Sequence, residues 1–319
     1  MKNYQIAAIF IAILLAVGCS SGKSRAKTAG DDSTAVAAQQ RKIEKLKLPD
    51  IPVSIISPDE RAAFLVVHYW DNFDFGDTVM ISHPEITEQA FVDYIDLFYH
   101  VPYEVTDGAV KEMLGKAMES DSVMFAYFTG MYEKYLHDPN SPMMNEEFYI
   151  PALEYIISSD KVDELFKIRP QSQLELALKN RVGHTVENFT YTLASGKTGR
   201  LYDIGSEYTL LMFYNPDCET CKSTKREIEN SAAINEMLPG MTILAVYVDP
   251  DLDLWRNNLS DMPDNWIKAY DAGETIRKQR LYDLKAIPTL YLLDRNKKVL
   301  LKDAPAGTVI QYLEERAER

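Results

Sequence analysis

The feature that most limits how this chain can fold is a near-continuous apolar run, Tyr208–Tyr214, that stops at Asn215-Pro216-Asp217 and passes through Cys218-Glu219-Thr220-Cys221 into a helical pattern over Lys222–Leu238. A run of strand length without alternation reads as a strand covered on both faces, which belongs in the middle of a layered α/β sheet. The CxxC lies directly between this strand and the helix, with its two intervening residues in the first helical turn. The pattern around the run agrees. Phe189–Leu193 reads as a strand followed by a Ser195-Gly196-Lys197 turn. Thr242–Val248 is a second apolar strand, followed by a polar, acidic stretch holding Trp255 and Trp266. Thr289–Leu293, an Asp294–Lys297 turn and Lys298–Leu301 form a hairpin, and Thr308–Glu318 reads as a closing helix. This order implies a small α/β domain with a mixed sheet over 181–319.

The position of the two cysteines assigns them chemistry. At the amino end of a helix, free N–H groups and a partial positive charge face whatever sits there. That arrangement stabilises a thiolate, the nucleophile in thiol–disulfide exchange, by roughly 0.3–1 kcal/mol and up to about 2 when partly buried. Cys218 is therefore the expected attacking thiol. Cys221, one turn inward and more buried, is the expected resolving thiol. Lys222, Lys225 and Arg226 add positive charge nearby. A structural disulfide or half of a metal site would use the same spacing. The metal reading lacks partners, because there is no second CxxC and the five histidines are scattered. No metal and no cofactor are expected.

Upstream, the periodicity is helical. Ser57-Pro58-Asp59-Glu60 is a helix start in which Ser57 caps, Pro58 takes the first position and Glu60 closes a capping box. Ala63, Phe64, Val67 and Trp70 continue it as an apolar stripe. Helices are expected over Thr87–Tyr99, Thr106–Glu119, Val123–Tyr135, Glu146–Ser158, Lys161–Lys167 and Ser172–Arg181, with Pro102, Gly108, Pro139, Pro142 and Pro170 in the connections. Residues 54–180 thus read as a helical domain. The aromatic segments Phe64–Phe75 and Phe91–Tyr103 are expected in its core, with a recognition surface as the alternative.

The start of the chain reads as a targeting segment. Lys2, the apolar run Ile6–Val17 and Leu15-Ala16-Val17-Gly18-Cys19 resemble a signal peptide (1–18) ending in a bacterial lipobox, with Cys19 lipidated. Ala16 stands where such sites most often carry Leu. Residues 19–53 then form a tether, polar and without an apolar period up to about residue 40. Of three cysteines, the anchor accounts for one and leaves a pair in an envelope compartment that permits disulfides. The expected location is the cell envelope, outside the cytoplasm. With 34 Lys and Arg against 48 Asp and Glu, the formal net charge of -14 argues against nucleic acid as a partner.

Ala286-Ile287-Pro288-Thr289 places a proline just before an apolar strand, where its missing N–H costs no ladder bond. With the CxxC and the Gly-Lys turn, this makes residues 183–319 resemble the membrane-anchored TlpA/ResA-like branch of thioredoxin-fold proteins. The whole chain, with Trp70-Asp71-Asn72-Phe73-Asp74-Phe75, resembles two-domain lipoproteins of Bacteroidetes whose helical part is a domain family of unknown function. The resemblance implies that Pro288 is a cis-proline facing the dithiol. It also implies that Ile287 and Pro288 receive substrate backbone, beside Asp217, Glu219 and Thr220. The expected partners are protein thiols and disulfides, an unidentified redox partner and, through Cys19, the membrane lipid.

The sequence departs from the family pattern around the cysteines. Asp217 replaces the usual aromatic residue and opposes negative charge on the sulfur. Thr220 replaces the usual proline. Met212 stands where related proteins carry a buried acid, which leaves Glu219, Asp249 and Asp251 as candidate proton-handling groups. The alternation Asp249, Asp251, Asp253 reads as a solvated loop more than as a cation site. Two functions follow: an extracytoplasmic thiol–disulfide oxidoreductase, whose direction the sequence leaves open between reduction, which the resemblance favours, and oxidation or isomerisation of protein disulfides, or a lipid-anchored binding or structural protein on a non-catalytic scaffold.

Overall fold

The computed structural model describes residues 46–317. The expected signal peptide, lipidated Cys19 and most of the tether lie outside them. Six helices come first: α1 (Pro58–His68), α2 (Pro84–Asp96), α3 (Tyr103–Ser120), α4 (Ser122–Leu136), α5 (Glu146–Ser158) and α6 (Glu164–Ala177). Asp121, Asn145 and Asp163 cap α4, α5 and α6 through side-chain oxygens that accept a backbone N–H two residues on. Ser57 makes no such bond at α1. Pro58 already removes one free amide there, and Asp59 and Glu60 are exposed in the first turn.

The aromatic segments turn inward. Phe91, Tyr94, Phe98 and Phe128 are fully buried, and Trp70, Phe73 and Phe75 fold back onto them after α1. Trp70 meets Phe73 and Phe128 edge to face, with centroids 5.3 and 5.2 Å apart. Leu46 packs on this core, and Asn72 Nδ2 donates to the Lys47 carbonyl, so the stretch before α1 is tied down at its end. The two short helices expected on either side of Pro170 are one helix, α6. The buried proline ring lies inside it, its packing outweighing one lost intrahelical bond.

Seven strands follow, β1 (Thr190–Leu193), β2 (Thr198–Arg200), β3 (Tyr208–Tyr214), β4 (Met241–Tyr247), β5 (Ile267–Tyr270), β6 (Thr289–Asp294) and β7 (Val299–Lys302). They form one mixed sheet in the order β2-β1-β5-β4-β3-β6-β7. Strands β3, β4 and β5 run parallel, and β6, β7, β1 and β2 add antiparallel. Among the described strands β3 and β4 are central and covered on both sides, which is why they are apolar throughout. Leu210, Met212 and Tyr214 face a core shared with α7 (Glu219–Asn230), α8 (Ala232–Met237), α9 (Leu252–Asn257) and α11 (Ala306–Ala317). Leu211 and Phe213 face a second core with Val186, Phe189 and Tyr282.

Strands β2 and β5 were not expected. Strand β2 lacks an apolar pattern and β5 is only four residues long, and backbone pairing with β1 and β4 completes both. The helix expected over Lys222–Leu238 starts earlier, at Glu219, and breaks at Ser231, whose hydroxyl caps α8 through Ile234 N–H at 3.3 Å. A single turn, α10 (Thr275–Lys278), precedes the loop leading to β6. Among the described residues no helix is long and apolar enough to cross a membrane.

Candidate functional site

The site is built where β3 ends. Asn215 turns the chain: its side-chain oxygen accepts the Asp217 N–H at 2.8 Å, its carbonyl accepts the Cys218 N–H at 3.2 Å, and its amide nitrogen donates to Asp249 at 2.7 Å. Asp249 follows β4 and is held in turn by Arg277 at 3.0 Å. Asn215 was not singled out from the sequence, although Asn-Pro-Asp after a strand is a turn signal. The same bonds redefine Asp249, a candidate proton-handling group, as the anchor of that turn. Asp251 caps α9 through Leu254 N–H, and Asp253 pairs with Arg256. The three aspartates therefore serve separate local roles.

Cys218 is the N-cap of α7. Its sulfur accepts the Cys221 N–H at 3.1 Å, taking up a free amide of the first helical turn. On its other side the thiol donates to the Ile287 carbonyl at 3.4 Å. Both cysteines are free thiols; Cys218 is half-buried and Cys221 is 2% exposed. Burial pushes the Cys221 thiol well above the usual range, and the adjacent Cys218 adds to this against the Asn215 backbone N–H. The Ile287–Pro288 peptide bond is cis, and Pro288 immediately precedes β6. Asp217, Glu219 and Thr220 are exposed around the half-buried Cys218.

Two of the basic residues after the pair hold partners other than the sulfurs. Lys222 binds Glu219 at 2.7 Å, which holds the Glu219 carboxyl below its ordinary range, and Lys225 binds the Asp261 carbonyl. Met212 is buried in the sheet core with no acid in its place. Beside the pair, a cavity of about 250 Å³ reaches Cys221 between Met212, Tyr214, Lys225, Arg226 and Met262.

One group of metal-type ligands exists among the described residues, His137, Glu146 and Asp283. Lys285 Nζ lies 2.7 Å from Glu146 and 3.2 Å from Asp283. An ammonium thus occupies the place a cation would take, and the donor set does not fit a resident metal.

A β3–turn–α7 unit carrying CxxC at the helix start, flanked by a proline-led antiparallel strand, defines a thioredoxin-like domain. Residues 205–299 match the family described as thioredoxin-like, and residues 18–180 match the domain of unknown function DUF5106. The chain belongs to the DUF5106 family and joins that domain to a thioredoxin-like one. It is similar, at 47% identity and a TM-score of 0.82, to a thioredoxin-like protein from Bacteroides caccae, over 86% of this chain and 99% of that one. It is also similar to the C-terminal domain of an uncharacterized protein from Bacteroides fragilis, at 45% identity and a TM-score of 0.42, over 42% of this chain and 98% of that one. The thioredoxin domain of a thiol-disulfide oxidoreductase from Bacteroides vulgatus matches at 18% identity and a TM-score of 0.39, over 43% and 97%. A comparison with curated proteins finds no match.

Proposed function

We propose that the protein is a thiol–disulfide oxidoreductase of the cell envelope, held at a membrane through lipid on Cys19, that reduces disulfides of other proteins through Cys218 and Cys221. The observation that carries this reading is the pairing of a half-buried sulfur at a helix N-cap with a buried thiol one turn inward. In the reaction, the Cys218 thiolate attacks one sulfur of a substrate disulfide, forms a mixed disulfide and releases the other substrate sulfur as a thiolate, which takes up a proton. Cys221 then loses its proton and attacks the Cys218 sulfur. The Cys218–Cys221 disulfide forms and the second substrate thiol leaves. Two electrons pass to the substrate, and a separate thiol donor must return them.

The high proton affinity of Cys221 fits the resolving role: it stays a thiol while Cys218 binds substrate and is deprotonated only as it attacks. In this reading Ile287, whose carbonyl accepts from the Cys218 thiol, and Pro288 after it receive the substrate chain.

Insulin reduction coupled to a thiol donor tests the reading. Wild type turns over, Cys218→Ser abolishes exchange, and Cys221→Ser accumulates a mixed disulfide that mass spectrometry maps to Cys218. Absence of both turnover and trapping would leave the alternative of a binding protein on a non-catalytic scaffold. Palmitate labelling, lost in Cys19→Ala, tests the anchor; labelling that persists removes it.

A further inference from the structure

The chain segment that carries Ile287 to Cys218 is gripped along its length by the helical domain. Arg280 donates to the Ser172 carbonyl and hydroxyl at 2.9 and 2.8 Å, and the Arg280 carbonyl accepts from Lys179 at 2.8 Å. The Leu281 carbonyl accepts from Asn180 Nδ2 at 2.8 Å, while Asn180 Oδ1 accepts the Glu187 N–H at 2.7 Å. Two residues before Ile287, Lys285 donates to Glu146 at 2.7 Å.

Glu146 is the first residue of α5 and is 8% exposed. Its other oxygen faces Lys302 Nζ at 2.7 Å, and Lys302 also donates to the Ala177 and Lys179 carbonyls at the end of α6. Asp283 and Asp303 complete the ring of charge around Lys285, at 3.2 and 3.1 Å. Burial pushes the Glu146 carboxyl up, but Lys302 and Lys285 outweigh it and hold the carboxyl well below the ordinary range. It is therefore an anion in the seam.

Resting on the reading of Cys218 and Cys221 as a redox pair, we propose that Glu146 is a positioning residue for that pair: by holding Lys285 it sets the Ile287 carbonyl against the Cys218 thiol, and so the helical domain adjusts the dithiol–disulfide equilibrium. The physical link is the bond from Cys218 Sγ to the Ile287 carbonyl. Only the reduced form has a proton to donate there, so a firmly placed carbonyl stabilises the dithiol relative to the disulfide. A residue that merely holds the fold together would stabilise both forms equally and leave their ratio unchanged. Loosening the 280–288 segment should favour the disulfide.

The test is equilibration of the full chain with reduced and oxidised glutathione. One glutathione disulfide takes two electrons and two protons from Cys218 and Cys221, giving two glutathione thiols and the protein disulfide. In folded Glu146→Gln, the equilibrium shifts toward the protein disulfide by about threefold, or roughly 14 mV toward more reducing potential. Glu146→Asp, which restores an anion, returns most of the shift. Glu88→Gln, which loosens the pairing of Lys134 and Tyr135 elsewhere in the helical domain, gives none. Arg280→Ala cuts the same segment's hold on Ser172 and reads the same shift should Glu146→Gln not fold. An unchanged equilibrium in whichever of these two variants folds overturns the proposal. The measurement requires no turnover, so an inactive protein with a Glu146-dependent equilibrium would reject the enzyme reading and keep the coupling.

Discussion

The helical domain and its seam with the sheet handle charge in opposite ways. Within the helical domain, ion pairs tie helices together at the surface: Lys111 to Glu154 at 2.7 Å, Lys116 to Asp71 at 3.0 Å, and Lys134 to Glu88. The interior beneath them is aromatic and aliphatic. At the seam, Glu146, Lys285, Lys302 and Asp303 leave water almost entirely, with side chains only 7, 12, 8 and 14% exposed. Inside the helical domain, apolar shape sets the packing and most ion pairs stay at the surface, Lys167 being a buried exception. Between the domains, charge itself sets the register. A buried charge is tolerable only with close partners, and removing one partner costs far more than the pair contributes.

Four measurements test that contrast, taken from the largest effect downward. Phe128 is fully buried and meets Trp70, Phe73, Phe75 and Phe91. Phe128→Ala should lower unfolding free energy by about 3–5 kcal/mol in urea titration. The dithiol equilibrium of the folded variant should not move, because the loss is of apolar packing remote from the seam.

Glu146→Ala should cost nearly as much, about 3–5 kcal/mol, since the buried Lys302 loses its carboxylate and Lys285 loses one of three. A loss below about 1 kcal/mol, the range of exposed pairs, would erase the distinction between seam and surface.

The third measurement uses pH. The Glu146 carboxyl is depressed in the folded chain from an ordinary value of 4.5 to about 2, burial being outweighed by Lys302 and Lys285. A depressed carboxyl contributes stability above its unfolded pKa and loses it as pH falls toward its folded pKa. Glutamine does not titrate. The advantage of wild type over Glu146→Gln in urea midpoint should hold near neutrality, shrink below pH 4.5 and vanish near 2. An advantage unchanged down to that pH would mean the ion pairs are not its source.

The smallest effect belongs to the surface. Glu88→Gln, against a Lys134 that is more than half exposed, should change unfolding free energy by about 0.2–1 kcal/mol, less at high salt. A larger loss would show that the Tyr135 hydroxyl bond to Glu88, rather than the ion pair, holds α2 to α4.

Elements whose cause is local were legible in the residues. Helix α5 spans Glu146–Ser158 as the period of its apolar positions implies. Strands β3 and β4 lie within a residue of their apolar runs, and the dithiol sits at the strand-to-helix turn between β3 and α7. Side-chain period, capping residues and turn chemistry act over a few positions, so one chain suffices to show them.

The tertiary structure decided whatever depends on a distant partner. Strand β5 is only four residues long, and backbone pairing with β4 and β1 completes it. Helix α6 continues through Pro170 because the ring is buried, whereas the proline alone signals a break. Asp249, one of three alternating acids in the sequence, becomes the anchor of Asn215 across two strand ends. Glu146 reads as an ordinary acid in a first helical turn. Only docking of the helices on the sheet brings it to Lys285, 139 positions away, because desolvation and ion pairing depend on distance in space and not along the chain.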